Sequence, residues 1–231
     1  MDIKNKVVLI TGGSRGIGKA TAKCFAAEGA IVIICSRHKA ELDRACEEII
    51  REGGECTGIE CDIRNSGDVK NVIEKTVEKF NHIDLLINNA GAGYYKPLAE
   101  TTEEEWDTTL NTNLKGMFLT CREAIAYMKK NSMIINISSG AGKHGFPNFA
   151  AYCASKFGVI GFTESIAGEL PFIKVYSICF GSVNTKLFRD AFKYAPPGQP
   201  EEMAHVIMDL CKREFLKSGE TLELRETSPN I

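Results

Sequence analysis

Short runs of β-branched and aliphatic residues alternate along this chain with longer stretches whose apolar positions recur every three or four residues. Val7 to Ile10 and Ile31 to Cys35 are uninterrupted apolar runs, the pattern of strands buried on both faces. A glycine-rich turn and a helical stretch separate them, which makes a strand-helix-strand unit. Lys39 to Arg51 places Leu42, Ala45, Ile49 and Ile50 near one helical face, and Gly53-Gly54 ends it. Glu55 to Glu60 has strand length. Ser66 is placed to cap a helix in which Val69, Ile73, Val77 and Phe80 repeat at helical spacing, and Ile83 to Ile87 follows as a buried strand.

The second half continues the series. Thr101 and Glu104 have the spacing of a capping box ahead of a long helical region through Trp106, Leu110, Leu114, Phe118, Ile125 and Met128. Met133 to Ile137 predicts a strand, Phe149 to Leu170 a long helix and Val175 to Phe180 a sixth strand. Glu201 to Cys211 predicts an amphipathic helix and Thr221 to Leu224 a short closing strand. Strand and helix in strict alternation predict an α/β fold with a doubly wound, mainly parallel sheet covered on both faces. The 231 residues suit one such domain, spanning 1–231, and no repeat or low-complexity linker divides them.

Composition narrows the partners. With 28 basic and 30 acidic side chains the formal net charge is -2, which gives no broad field for nucleic acid or an anionic membrane. No apolar stretch reaches the roughly 18 to 20 residues needed to span a bilayer. The opening MDIKNKVVLITGG lacks the pattern of a secretory or organellar leader, so the cytoplasm is the expected compartment. Nine cysteines form no CxxC pair and the four histidines no metal-binding group, so the thiols are expected as small buried hydrophobes and no metal site is expected.

Candidate chemistry begins in the turn after the first strand. Gly12, Gly16 and Gly18 let the backbone turn tightly and approach a pyrophosphate at the start of the following helix, where free N–H groups and the helix dipole favour negative charge. A glycine turn without a ligand is the plain alternative, and the strand-helix-strand unit favours the dinucleotide. An NAD site usually has a carboxylate at the end of the second strand. Here that strand ends Cys35-Ser36-Arg37 and the turn carries Arg15, and a hydroxyl with two guanidiniums suits the 2′-phosphate of NADP(H).

Tyr152 and Lys156 are four residues apart, on one face of the predicted helix. A nearby ammonium favours the phenolate and so eases donation of the tyrosine proton. Ser139, at the end of the fifth strand, is expected at the carboxyl edge of the sheet, where its hydroxyl can donate to a substrate carbonyl. A half-buried aromatic beside a solvated lysine is the structural alternative for that pair.

Taken together these segments resemble the classical short-chain dehydrogenase/reductase family. The resemblance rests on Thr11-Gly-Gly-Ser-Arg-Gly-Ile-Gly18, Asn88-Asn89-Ala90-Gly91, Asn113 in NTNLKG, Ser139 in NISSG and Tyr152 to Lys156 in YCASK. It implies seven strands in a Rossmann fold and a catalytic set of Asn113, Ser139, Tyr152 and Lys156. Asn113 would support a water in the proton relay, through its amide or through a backbone carbonyl freed by a helical irregularity. Lys156 would also hydrogen-bond the nicotinamide ribose.

The resemblance further implies that Asp62 holds the adenine edge, that Asn89 and Gly91 border the cofactor, and that Val183 and Thr185 meet carboxamide and phosphate. Ser14, Ile17, Ile63 and Ala90 complete the expected cofactor set. Three departures stand out: Phe180-Gly181 replaces the usual proline-glycine pair, Glu169 to Val175 is a short connection, and the segment from Ser218 lacks a glycine-rich ending.

Substrate selection is expected from Gly93 to Leu98, Lys143 to Phe149 and a loop near 187–200. Tyr94, Tyr95, Phe146, Phe149, Phe188, Phe192 and Tyr194 would build an apolar wall, and Lys143, His144 and Arg189 would meet an acidic substrate or acyl-carrier protein. Within the family the pattern is nearer to 3-oxoacyl-(acyl-carrier-protein) reductases than to steroid-specific enzymes, which points to a 3-oxoacyl thioester. Small ketones, diketones or sugars are the alternative substrates, and a nucleotide-sensing regulatory protein is the alternative outside catalysis. A homodimer or homotetramer is the assembly the resemblance implies.

Overall fold

In a computed structural model describing residues 1–213 and 215–224, β1 (Val7–Thr11) is buried along its whole length in the interior of the sheet. Its flanks are β2 (Ile31–Ser36) and β4 (Ile83–Asn88), both parallel to it. With β3 (Glu55–Glu60), β5 (Met128–Ile137), β6 (Lys174–Cys179) and β7 (Thr221–Glu223), the sheet runs β3-β2-β1-β4-β5-β6-β7 and every pair is parallel. This is a single-domain Rossmann-like α/β fold. Because the chain winds outward in both directions from β1, a crevice opens beyond the carboxyl ends of β1 and β4.

Side-chain alternation along each strand fills two cores. Val8, Ile10, Val32, Ile34 and Leu85 face Phe25 of α1 (Gly16–Ala27), Leu42 of α2 (Lys39–Arg51) and Ile207 of α8 (Pro200–Arg213). Leu9, Ile33, Leu86, Ile134 and Val175 face Ile73 of α3 (Ser66–Phe80), Leu119 of α5 (Gly116–Ala124) and Val159 of α6 (Ala150–Glu169). Both faces of the central strands are therefore dry, which is why their sequences read as continuous apolar runs.

Several boundaries differ from the sequence expectation. Asn65, not Ser66, caps α3, its Oδ1 accepting from Gly67 N at 2.8 Å and Asp68 N at 3.2 Å. The capping box of α4 (Glu103–Leu110) is Thr102 with Glu105, one residue later than predicted. Thr101 instead closes a 3-10 turn at Leu98–Glu100, its hydroxyl donating to Pro97 O. The long helical region is interrupted by a π-helical turn at Asn111–Lys115 and ends at Ala124, before a 3-10 turn.

Met128 accordingly begins β5 and does not belong to the helix. It pairs with Ile83, whereas Met133 pairs with Leu85, so the polar Lys129-Lys130-Asn131-Ser132 stretch makes an irregularity in the ladder. Those residues hide the true strand start from any hydrophobic pattern. The last strand stops at Glu223, and the part of the expected non-glycine ending beyond Leu224 lies outside the described residues.

Candidate active site

The glycine turn is built by contacts that exclude side chains. Gly12 has φ +66°, and a Cβ there would stand 2.8 Å from Ala90 Cα; Gly16 has φ +54°. A Cβ on Gly18 would collide with Asn89 Nδ2 and the Gly12 carbonyl. Asn89 donates its amide to the carbonyls of Thr11 and Gly12, while Thr11 Oγ1 accepts from the Asn89 and Ala90 backbones at 3.0 and 3.1 Å. The ends of β1 and β4 are thus fastened together, and the turn is held open ahead of α1.

A cleft of about 760 Å³ lies over this crevice. At one end it is lined by Gly12, Ser14, Arg15, Gly16 and Ile17, with Ser36 and Arg37 from β2 and Asp62 and Ile63 after β3. Asn89, Ala90 and Gly91 form its middle, and Val183 and Thr185 border it from the segment after β6. Ser139, Tyr152 and Lys156 line the same cleft with Phe180. Gly18 and Asn113 stand behind this surface: Gly18 lets α1 approach the turn, and Asn113 is 1% exposed.

The donors and acceptors suit a phosphorylated dinucleotide. Ser36 Oγ is buried without a hydrogen-bond partner, an arrangement that a ligand atom would complete. Asp62 is less free than expected, since Arg64 Nε and Nη2 both donate to its carboxylate and hold it below the usual carboxylate range.

At the chemical end, Tyr152 is half-buried, and desolvation pushes its phenol up to about 12, with the Ser139 hydroxyl acting in the opposite direction. Lys156 is 3% exposed, burial lowers its ammonium to about 8, and Nζ donates to Ile137 O at 2.8 Å. The expected depression of the tyrosine by Lys156 is therefore not present in this state. The lysine Nζ stands 5.6 Å from the Tyr152 ring centroid, and desolvation is the largest influence on the phenol. Ser139 Oγ accepts from Ala141 N at 3.2 Å, which leaves its proton available for donation.

Asn113 sits in the π-helical turn, the irregularity anticipated from the sequence. Both of its amide hydrogens, however, are used. Oδ1 accepts from Ala92 N at 2.8 Å, and Nδ2 donates to Ala92 O at 2.9 Å and Ser155 Oγ at 2.8 Å. Ser155 in turn donates to Tyr152 O at 2.7 Å, which couples the loop after β4 to the helix bearing the tyrosine. Of the two routes to a relay water, the side-chain amide has no hydrogen left to donate, although Oδ1 has a second acceptor site.

A family description of short chain dehydrogenases matches residues 6–195. The chain belongs to this family.

Among curated relatives, a 3-oxoacyl-(acyl-carrier-protein) reductase of Thermotoga maritima is 38% identical over 229 residues, covering 93% of each chain. A 3-oxoacyl-(acyl-carrier-protein) reductase of Synechocystis is 38% identical over 220 residues, covering 89% of each. Among solved structures, a 3-ketoacyl-(acyl-carrier-protein) reductase of Brucella melitensis complexed with NADH superposes with a TM-score of 0.88 at 31% identity, covering 96% of this chain and 98% of the other. This short-chain dehydrogenase is thus an oxidoreductase of Rossmann type that resembles 3-oxoacyl-(acyl-carrier-protein) reductases.

The expected aromatic wall assembles in part around the tyrosine. Phe149 stacks on Tyr152, Tyr95 and Phe192 meet Phe149, and Phe188 packs between Phe192 and Tyr194. The loop near 187–200 begins as a short helix, α7 (Lys186–Phe192), capped by Thr185 Oγ1 accepting from Phe188 N. The three expected basic residues are placed differently. His144 lines the cleft, Lys143 does not, and Arg189 is turned onto Asn184 Oδ1.

Two further features of the site carry little signal in the sequence. Thr112, in the π-helical turn, lines the cleft with a buried, unpartnered Oγ1. Thr120, Asn88, Asn136 and Thr163 form a hydrogen-bonded row through the core beneath the site. Only the polar residues inside apolar strands, Asn88 and Asn136, hinted at that row. All nine cysteines are free, and among the described residues no three metal-ligating side chains gather.

Proposed function

We propose that this short-chain dehydrogenase reduces a carbonyl compound to an alcohol with NADP(H), with a 3-oxoacyl thioester as the leading substrate. The observation that carries the reading is the placement of Ser139, Tyr152 and Lys156 in the same cleft as the glycine turn and the Ser36–Arg37 strand end. When bound, the reduced cofactor supplies a hydride to the carbonyl carbon. The chain's own residues do the rest. Ser139 donates to the carbonyl oxygen and Tyr152 gives its proton to the oxygen as it gains charge. Lys156 releases Ile137 O to hold the ribose, and its ammonium then stands where it eases the tyrosine's proton transfer. Asn113 fixes the loop after β4 against α6 so that these groups keep their spacing.

NADP over NAD is supported by charge. Arg15 and Arg37 offer planar donor forks, and Ser36 offers an unpartnered hydroxyl. The remaining cofactor contacts are those of Gly12, Ser14, Gly16, Ile17, Asp62, Ile63, Asn89, Ala90, Gly91, Val183 and Thr185 on the cleft wall. The thioester choice draws on the names of the relatives and on the aromatic wall, which suits an acyl chain. Docking of an acyl-carrier protein and action in the cytoplasm belong to the same reading; no helix is long and apolar enough to cross a membrane among the described residues. A homodimer or homotetramer is favoured by the exposed Phe118 and Phe157 on α5 and α6.

The test is a cofactor-consumption screen with NADPH and NADH against acyl-carrier-protein and coenzyme A thioesters, small ketones, diketones and keto-sugars. The reading expects turnover with the thioesters and a preference for NADPH. Turnover confined to free carbonyls removes the thioester, and no turnover anywhere favours a nucleotide-sensing protein.

A further inference from the structure

Arg15, the guanidinium of the glycine turn, lines the cleft and is engaged by a carboxylate of α2. Its Nη1 stands 3.5 Å from Oε2 of Glu41, in the first turn of α2. Glu41 Oε2 is buried and accepts no hydrogen bond, although the side chain as a whole is 36% exposed, so the ion pair is the polar contact of that oxygen. The other carboxylates near the two arginines are differently placed. Asp62 faces Arg37 but is forked by Arg64, and Asp190 feels Arg15 but is paired with Lys186. Among the described residues, the ion pair of Glu41 is with Arg15 itself, while Arg37 has none.

We propose that Glu41 is a specificity-determining residue that works against the phosphorylated cofactor by competing with the 2′-phosphate for Arg15. The inference rests on the reading that the 2′-phosphate is held at Arg15, Ser36 and Arg37. A dianionic phosphate entering there must share or take the guanidinium, and the partly exposed carboxylate left behind faces a like charge. An unphosphorylated ribose makes no such demand. Glu41 therefore narrows the gap between NADPH and NADH, and neutralising it widens that gap.

The test is cofactor binding, which needs no substrate. Dissociation constants for NADPH, NADH and adenosine 2′,5′-bisphosphate are measured by calorimetry for the wild type, Glu41→Gln, Arg15→Gln and the double variant. Glu41→Gln is expected to tighten NADPH and the bisphosphate about three- to fivefold, the scale of a partly exposed ion pair, with NADH unchanged. The gain should shrink in the Arg15→Gln background and at high ionic strength. Glu41→Ala, a second removal of the charge, should act in the same direction.

An NADPH-to-NADH affinity ratio that stays constant or falls in both Glu41 variants overturns the proposal. The two levels separate cleanly. If Arg15→Gln leaves NADPH binding unchanged, the phosphate site itself is misplaced; if Arg15→Gln weakens NADPH while the Glu41 variants do nothing, only the role of Glu41 fails.

Discussion

Phe149 lies flat on Tyr152, with ring centroids 4.3 Å apart and planes 19° from parallel. Phe149 is also met edge-on by Tyr95 and Phe192, at 5.8 Å in each case. On the side of Gly93, a Cβ would come within 2.7 Å of Tyr152 Cδ2, so that residue too must stay small. The proposed acid is therefore held by the wall that would receive the substrate, and both should respond to one substitution.

Replacing Phe149 with alanine removes the stacked ring and leaves a cavity beside Tyr152. The expected cost is about 3 kcal/mol of folding stability, read by denaturant titration, with at least a tenfold fall in kcat and little change in NADPH affinity. Phe149→Tyr should keep most of both. A variant that loses stability while kcat holds would confine Phe149 to packing.

Asn113→Ala should be destabilising out of proportion to its size. It leaves Ala92 N, Ala92 O and Ser155 Oγ without the partners seen at 2.8 to 2.9 Å, for an expected loss of about 2 to 4 kcal/mol. Thermal melts of the apoprotein check this without any substrate. A loss below about 0.5 kcal/mol would mean that water replaces the amide and that the tie between the loop and α6 is dispensable.

The buried lysine gives stability a pH signature. Burial lowers Lys156 to about 8 in the folded chain against about 10.5 when unfolded, so between those values the unfolded state binds more protons. Its contribution to stability therefore rises as pH climbs from about 8 to about 10.5. Tyr152 acts oppositely above about 10, because its folded value is raised to about 12. Melting curves of wild type and Lys156→Met across pH 7 to 10 should converge as pH rises, with the wild type gaining relative to the variant. Parallel curves would show that Lys156 is not desolvated in the free protein.

Much of this was legible in the sequence for physical reasons. The runs at Val7 and Ile31 are apolar throughout because both sheet faces are covered, and the four-residue spacing of Tyr152 and Lys156 needs only a helix to bring them together. The misses fall where tertiary contacts decide. Met128 pairs with Ile83 across a polar irregularity that carries no strand pattern, and Thr102 takes the cap of α4 because Thr101 is already bound to Pro97. Asn113 was visible as a motif residue, but its engagement with Ala92 and Ser155 depends on elements distant in sequence. The pairing of Arg15 with Glu41 likewise joins a turn to the next helix, and no spacing rule announces it.

The central claim is that Tyr152 donates the proton in an NADPH-dependent carbonyl reduction. Its most direct test compares wild type and Tyr152→Phe for NADPH binding and for turnover of the best carbonyl in the panel, with the alcohol product identified. The account predicts equal NADPH affinity and unchanged folding, with turnover lower by at least about a hundredfold in the variant. A Tyr152→Phe protein that binds NADPH and reduces the carbonyl at close to the wild-type rate would contradict it.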